Sequence, residues 1–206
     1  MAADRSKGAS YPRSYAEALE VQSSELKELL VRHLTANSVR RGDFTLKSGR
    51  KSSWFIDAKQ TACDPYGMIL VATLMLRVIP AEVTGIGGLT MGADPVAFGT
   101  AAIASASGRP MSSFSVRKEV KDHGGGGRIA GVLVAGSNVA ITEDAVTRGN
   151  SIIEAVDASI GARANVTLIT AIVDRGGTVG AIAKSRGIAF VPLVTAPELG
   201  FDYEGS

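Results

Sequence analysis

The sequence is short of most features that would mark a secreted, membrane-spanning or nucleic-acid-coating protein. Its one cysteine, Cys63, cannot close an internal disulfide, which suits a reducing compartment and points to a cytoplasmic setting. No His or Asn motif adjoins Cys63, so it reads as a structural thiol and not a nucleophile. Aromatic residues make up 5% of the 206 positions, too few for the ring platforms on which single strands stack. Neither sign of charge dominates: the formal net charge is +2, so no global field draws nucleic acid or a membrane surface. The longest apolar runs, such as residues 68–76, reach roughly half of a membrane span. The first residues lack the apolar core of a signal peptide. Also missing are GxGxxG and GxxxxGK[ST], which removes the main support for a nicotinamide or ordinary nucleoside triphosphate site. There is no internal repeat, and no linker long enough to divide the chain.

What remains is 45% hydrophobic and 20% charged, ordinary for a globular protein with a full core, and rich in glycine at 24 residues. Residues 1–13 are polar and carry Gly8 and Pro12, so a loose tail is expected. From Ser14 the pattern is helical, with Leu26, Leu29, Leu30, His33 and Leu34 on one face and Ser23 or Ser24 as a cap. His33 reads as a packed histidine. Residues 44–47 and 54–58 are extended segments around the turn Ser48-Gly49-Arg50. Asp64-Pro65 then opens a helix through Arg77, proline taking the first turn.

Beyond it, strands are predicted at 83–86, 112–116, 138–142, 166–173 and 189–194. A glycine-rich loop and a helix (94–105) follow the first, and helices at 151–160 and 181–184 follow the third and fourth. That alternation predicts an α/β fold with a parallel sheet flanked by helices on both faces. An N-terminal helical and extended hood (about 14–60) would sit on a core (about 61–206), all within one domain. The loops after Ile86, Val116, Thr142 and Val173 should gather at the carboxyl ends of the strands, where ligands bind in such sheets.

The strongest local signal is Val139-Ala140-Ile141-Thr142-Glu143-Asp144-Ala145-Val146-Thr147-Arg148-Gly149-Asn150-Ser151. A buried strand ends in two carboxylates, and a short loop with hydroxyls and glycine leads into a helix. The loop amides and helix N-terminus form a cradle for a phosphate, with Thr147 and Ser151 as further donors. The carboxylates could accept hydrogen bonds from vicinal hydroxyls. This is a ribose 5-phosphate site in outline.

The second signal is Arg117-Lys118-Glu119-Val120-Lys121-Asp122-His123-Gly124, continued by Gly125, Gly126, Gly127 and Arg128. Four consecutive glycines cannot specify one backbone conformation. A rigid anion site would not be built so, whereas a hinged lid that swings cations over a polyanion would. Residues from about 119 to 128 are therefore expected to be mobile without ligand.

That second stretch resembles the mobile catalytic loop of orotate phosphoribosyltransferases. Residues 142–151 resemble the phosphoribosyl pyrophosphate motif of type I phosphoribosyltransferases. Phe44-Thr45-Leu46-Lys47-Ser48-Gly49-Arg50-Lys51-Ser52 is similar to the family's N-terminal substrate segment, and Val173-Asp174-Arg175 to its pyrimidine-side arginine. The likeness runs from about residue 42 to 176, in matching order.

It implies roles. Glu143 and Asp144 would hold the ribose hydroxyls; Ala145, Val146, Thr147, Arg148, Gly149, Asn150 and Ser151 the 5-phosphate. Arg117, Lys118, Lys121 and His123 would meet pyrophosphate, partly across a homodimer interface, with Lys118, Lys121, His123 and Asp144 catalytic. Lys47, Thr147 and Arg175 would contact orotate, Arg175 pairing with its carboxylate. The loop at residues 85–95 would be the pyrophosphate loop, with Met91 where many relatives carry lysine and Arg148 where a small residue is usual. Magnesium is implied as cofactor, carried by pyrophosphate and ribose oxygens and with no direct protein ligand.

Two alternatives stand beside this reading. A non-catalytic sensor of phosphoribosyl pyrophosphate should keep the ribose motif and lose the cationic loop, which is present here. A phosphoribosyltransferase for another base is opposed by Lys47, Arg175 and the loop taken together.

Overall fold

The computed structural model describes residues 11–45, 49, 51–121 and 127–204, without the side chains of Val120 and Lys121. Lys47, Asp122, His123 and residues 1–10 of the expected tail lie outside the described residues.

Ser14 accepts a hydrogen bond from the Glu17 amide and so starts α1 (Tyr15–Glu20). The helical pattern that follows is broken at Val21 and Gln22, both extended, before α2 (Ser23–Asn37). Neither Ser23 nor Ser24 caps α2. Ser23 instead accepts from Arg77, whose guanidinium also bonds the carbonyls of Ala18, Leu19 and Val21 and so ties down the break. Tyr11 is not loose: its ring meets His33 edge-on and stacks on Tyr66. His33 is buried, bonded to Thr61 through Nδ1 and to Asp64 through Nε2.

β1 (Val39–Thr45) and β2 (Lys51–Ile56) form an antiparallel hairpin. In β2 the burial alternates, with Ser52, Trp54 and Ile56 inward, the period-2 signature of a strand with one covered face. The short α3 (Lys59–Ala62) leads to α4 (Pro65–Val78), where the Asp64 carboxylate accepts from the Tyr66 and Gly67 amides.

The central sheet has six strands: β3 (Gly85–Leu89), β4 (Ser112–Lys121), β5 (Gly127–Gly131), β6 (Asn138–Val146), β7 (Asn165–Asp174) and β8 (Ala189–Thr195). Their order is β5-β4-β3-β6-β7-β8, parallel throughout except for β5, which runs antiparallel to β4. α5 (Ala93–Ala106), α6 (Asn150–Gly161) and α7 (Val179–Ser185) are the crossovers, and a 3-10 turn (Pro197–Leu199) follows β8. Both faces are covered. Ala140, Leu168 and Ile172 join α1, α2, α4, α5 and Trp54 in one cluster, while Val139, Ile141 and Ile169 join α6 and α7 in the other. Among the described residues no helix is long and apolar enough to cross a membrane.

Two expectations need correction. The strand expected at 83–86 lies at Gly85–Leu89, so two of the glycines read as a loop belong to the sheet. A Cβ on Gly87 would lie 2.5 Å from the Phe114 ring, and one on Gly88 2.1 Å from the Thr142 carbonyl oxygen. Glycine there buys close packing between strands. The segment expected to be mobile from about 119 to 128 is also more ordered at its ends: β4 continues to Lys121 and β5 begins at Gly127, pairing with it. Arg128 anchors β5, donating from Nε to the Arg117 carbonyl and pairing with Glu154 of α6.

Candidate active site

The carboxyl ends of β6 and β7 open into a cleft of about 650 Å³, roofed by the β1–β2 hairpin through Arg40, Phe44, Thr45 and Phe55. Its floor is the chain from β6 into α6. β6 runs past its expected end, so Glu143 and Asp144 stand within the strand and are nearly buried. Gly149 then takes φ 83°, a left-handed conformation costly for other residues, and turns the chain into α6. That glycine holds the N-cap position, and Ser151 lies one residue inside the helix. The free amides of this first turn, with the helix dipole behind them, face an anion-sized space.

Glu143, Ala145, Val146, Thr147, Arg148, Gly149, Asn150, Ser151 and Arg175 all line the cleft. Arg148 is exposed. Asp144 sits behind them, its Oδ2 2.6 Å from Lys59 Nζ. Burial raises the pKa of the Glu143 carboxyl to about 8, and the neighbouring Asp144 charge adds to the shift. At neutral pH the Glu143 carboxyl is therefore largely protonated. Burial works against the Lys59 ammonium, but its hydrogen bond to Asp144 and that carboxylate's charge outweigh it and hold its pKa above the ordinary lysine range.

Lys59 was not legible as a site residue. Nothing in Asp57-Ala58-Lys59 marks it, because its partner lies 85 positions away. From the start of α3 it brings a cation to Asp144, whereas Met91 offers none and is 69% exposed. The residues around Met91 are fixed nonetheless. Asp94 accepts from Thr90 Oγ1 at 2.7 Å and from Ser115 Oγ at 2.6 Å. A Cβ on Gly92 would fall 2.2 Å from Glu143 Oε1 and 2.5 Å from Asp144 Oδ1, so this loop lies directly against the carboxylates.

Arg175 reaches the cleft from the end of β7. Asp174 shapes its turn by accepting from the Gly176 and Gly177 amides. The guanidinium lies over the Trp54 ring, and Nη2 donates to the Trp54 carbonyl at 2.9 Å and Ser52 Oγ at 3.1 Å. It already holds a carboxylate, that of Glu204, at 2.5 Å. Trp54 and Glu204 had no role assigned from the sequence, and Ser52 stood only as the last residue of the N-terminal substrate segment.

Arg117 and Lys118 stand on β4 and do not line this cleft; Lys118 is exposed. Of the expected set, then, the residues of 143–151 and Arg175 are brought together and the β4 cations are held apart.

A parallel sheet carrying a carboxylate pair and a glycine-turned phosphate cradle at its carboxyl edge is the architecture of a type I phosphoribosyltransferase. No family model matches the chain, but individual proteins do. It is 32% identical over 182 residues to the orotate phosphoribosyltransferase of Nostoc sp., covering 88% of each chain. To that of a Bradyrhizobium strain it is 36% identical over 183 residues, 86% of this chain and 99% of the relative. A crystal structure of the Mycobacterium tuberculosis H37Rv orotate phosphoribosyltransferase in complex with 5-phospho-alpha-D-ribosyl 1-diphosphate matches with a TM-score of 0.69 and 32% identity, over 87% of this chain and 99% of that one. The chain belongs to the orotate phosphoribosyltransferase family.

Proposed function

We propose that the protein transfers the 5-phosphoribosyl group of phosphoribosyl pyrophosphate to orotate, yielding orotidine 5'-phosphate and pyrophosphate, a step of pyrimidine nucleotide biosynthesis. The observation that carries this reading is the one cleft lined by Glu143, with Asp144 directly behind it, by the phosphate cradle and by a carboxylate-binding arginine. In it the turn at 145–151 holds the 5-phosphate, and Asp144 and Glu143 take the ribose hydroxyls. The bond from the anomeric carbon to pyrophosphate breaks, its electron pair leaves on pyrophosphate, and a ring nitrogen of orotate forms the new C–N bond as it gives up its proton to the departing pyrophosphate or to solvent. No strong base is required. The barrier falls through fixed charges that oppose the charge developing on the leaving group and the ribose. The test is the reaction itself: orotate and phosphoribosyl pyrophosphate consumed one for one.

The donor set fits magnesium that rides on the substrate. Glu143 and Asp144 offer hard oxygens, but one is protonated at neutral pH and the other is engaged by Lys59. When bound, the ion would neutralise charge on the departing pyrophosphate. A cytoplasmic setting is part of the proposal and rests on the lone, unpaired Cys63; recovery with a membrane or secreted fraction would contradict it.

The remaining cations, Arg117, Lys118, Lys121 and His123, are assigned to pyrophosphate, with part of their loop acting across the interface of a homodimer. The placement of Arg117 and Lys118 away from their own chain's cleft supports this. A mixing experiment decides it. Lys121→Ala and Asp144→Asn, each nearly inactive alone, should together recover about half activity per heterodimer, the share set by two-fold symmetry. If subunits exchange and no activity returns, the hairpin serves its own chain.

A further inference from the structure

The carboxylate site at Arg175 is filled by the protein's own side chain. Arg175 Nη2 meets Glu204 Oε2 at 2.5 Å, and Ser52 Oγ meets Glu204 Oε1 at 2.6 Å, so both carboxylate oxygens are held. Everything around the guanidinium is fixed. It is 6% exposed, it lies 4.6 Å from the centre of the Trp54 ring, and that ring stacks on Phe201 at 4.2 Å. Its Nε is buried and has no hydrogen-bond partner among the described residues, so without Glu204 only the uncharged Trp54 carbonyl and Ser52 Oγ would remain to the guanidinium.

Glu204 is attached differently. Its backbone is pinned, the amide donating to the Arg175 carbonyl at 3.0 Å, and the preceding Tyr203 ring packs over Gly177. Its side chain, however, lines the cleft and at 17% is more exposed than that of Arg175. Rotation about its side-chain bonds can lift the carboxylate off Arg175 and Ser52 without unseating the backbone.

We propose that Glu204 is a specificity-determining residue: an internal carboxylate that occupies the subsite and that the substrate's carboxylate must displace. This deepens, and rests on, the reading that Arg175 receives the carboxylate of orotate. An incoming anion replaces one charge-assisted pair with another, so the exchange is close to balanced. A neutral ring has nothing to exchange and would have to strand the buried guanidinium. The plug therefore lowers affinity for the proper substrate and holds off neutral pyrimidines.

The test compares Glu204→Gln with the parent protein at saturating phosphoribosyl pyrophosphate and magnesium. The amide keeps the shape and can still bond Ser52, but it no longer competes as an anion. KM for orotate should fall about ten-fold with kcat changed by less than about two-fold, the size expected for losing a charged competitor. Orotate should also raise the melting temperature of the variant more than that of the parent, a readout independent of turnover. If KM rises, or kcat falls with it, Glu204 positions Arg175 and is not a plug; if KM and the ligand-induced shift are unchanged, the inference is wrong. Arg175→Ala separates the two levels of the argument. A raised KM for orotate in that variant together with no effect of Glu204→Gln sinks the plug alone. An unchanged KM in Arg175→Ala sinks the carboxylate reading of Arg175 itself.

Discussion

Uracil should be turned over on the order of 10⁴-fold less efficiently than orotate, comparing kcat/KM under identical conditions. The two rings differ at the carboxylate, and the structure commits a nearly buried arginine to a carboxylate at the place where that group would enter. Such a site rejects an analogue lacking the charge more strongly than it rewards the one that has it. The buried guanidinium would otherwise be left without its partner, and a charge taken out of water and unpaired costs several kcal/mol. A hydrophobic slot of the same shape would discriminate far less, by one or two powers of ten. Comparable rates with uracil, or with a purine, would mean that Arg175 belongs permanently to Glu204 and that base selection happens elsewhere in the cleft.

Asp144→Asn should lower turnover by roughly 10²-fold or more while leaving the protein folded. The choice of Asp144 over Glu143 follows from the raised pKa of Glu143 and the ion pair that Asp144 makes with Lys59. With its pKa raised to about 8, Glu143 holds a proton at neutral pH, whereas Asp144 is the carboxylate that pairs with the Lys59 ammonium. It is therefore the stronger acceptor for a ribose hydroxyl and the charge closest in sign to what a developing ribosyl cation needs. The same substitution has a second consequence. The folded Glu143 carboxyl holds its proton more tightly than the unfolded one, so stability is fully present below the ordinary glutamate range and falls as pH rises toward about 8. Removing the Asp144 charge removes part of the cause, and the fall in melting temperature over that window should flatten. Unchanged kinetics in a folded variant would reduce the pair to a buried feature of β6.

The parts of this molecule legible in the sequence were those where neighbours along the chain do the physics. Val139, Ala140 and Ile141 form a continuous apolar run because both faces of β6 are covered, and such a run announces a parallel strand. The carboxylate pair followed by Gly149 was readable because strand, turn and helix start are local. The resemblance of residues 117–124 and 142–151 to one family supplied the substrate, and the relatives bear that family out. Glycine misled twice. Gly87 and Gly88 were read as loop because their use, letting Phe114 and the Thr142 backbone come close, depends on other strands. The glycines after His123 hid the start of β5, whose pairing partner is β4 and whose anchor is Glu154 of α6.

Lys59 and Glu204 were out of reach for the same reason, with partners 85 and up to 152 positions away. Contacts of that span are set by topology, and no local pattern encodes them. One adds a cation beside Glu143 and Asp144, and the other pairs with Arg175.

The account turns most directly on the near-ultraviolet absorbance of orotate. Mixed with the protein and magnesium alone, orotate should keep its absorbance. On addition of phosphoribosyl pyrophosphate the signal should fall at a rate proportional to protein, with orotidine 5'-phosphate and pyrophosphate appearing in equal amounts. A properly folded protein that binds phosphoribosyl pyrophosphate yet leaves the orotate absorbance unchanged would contradict it.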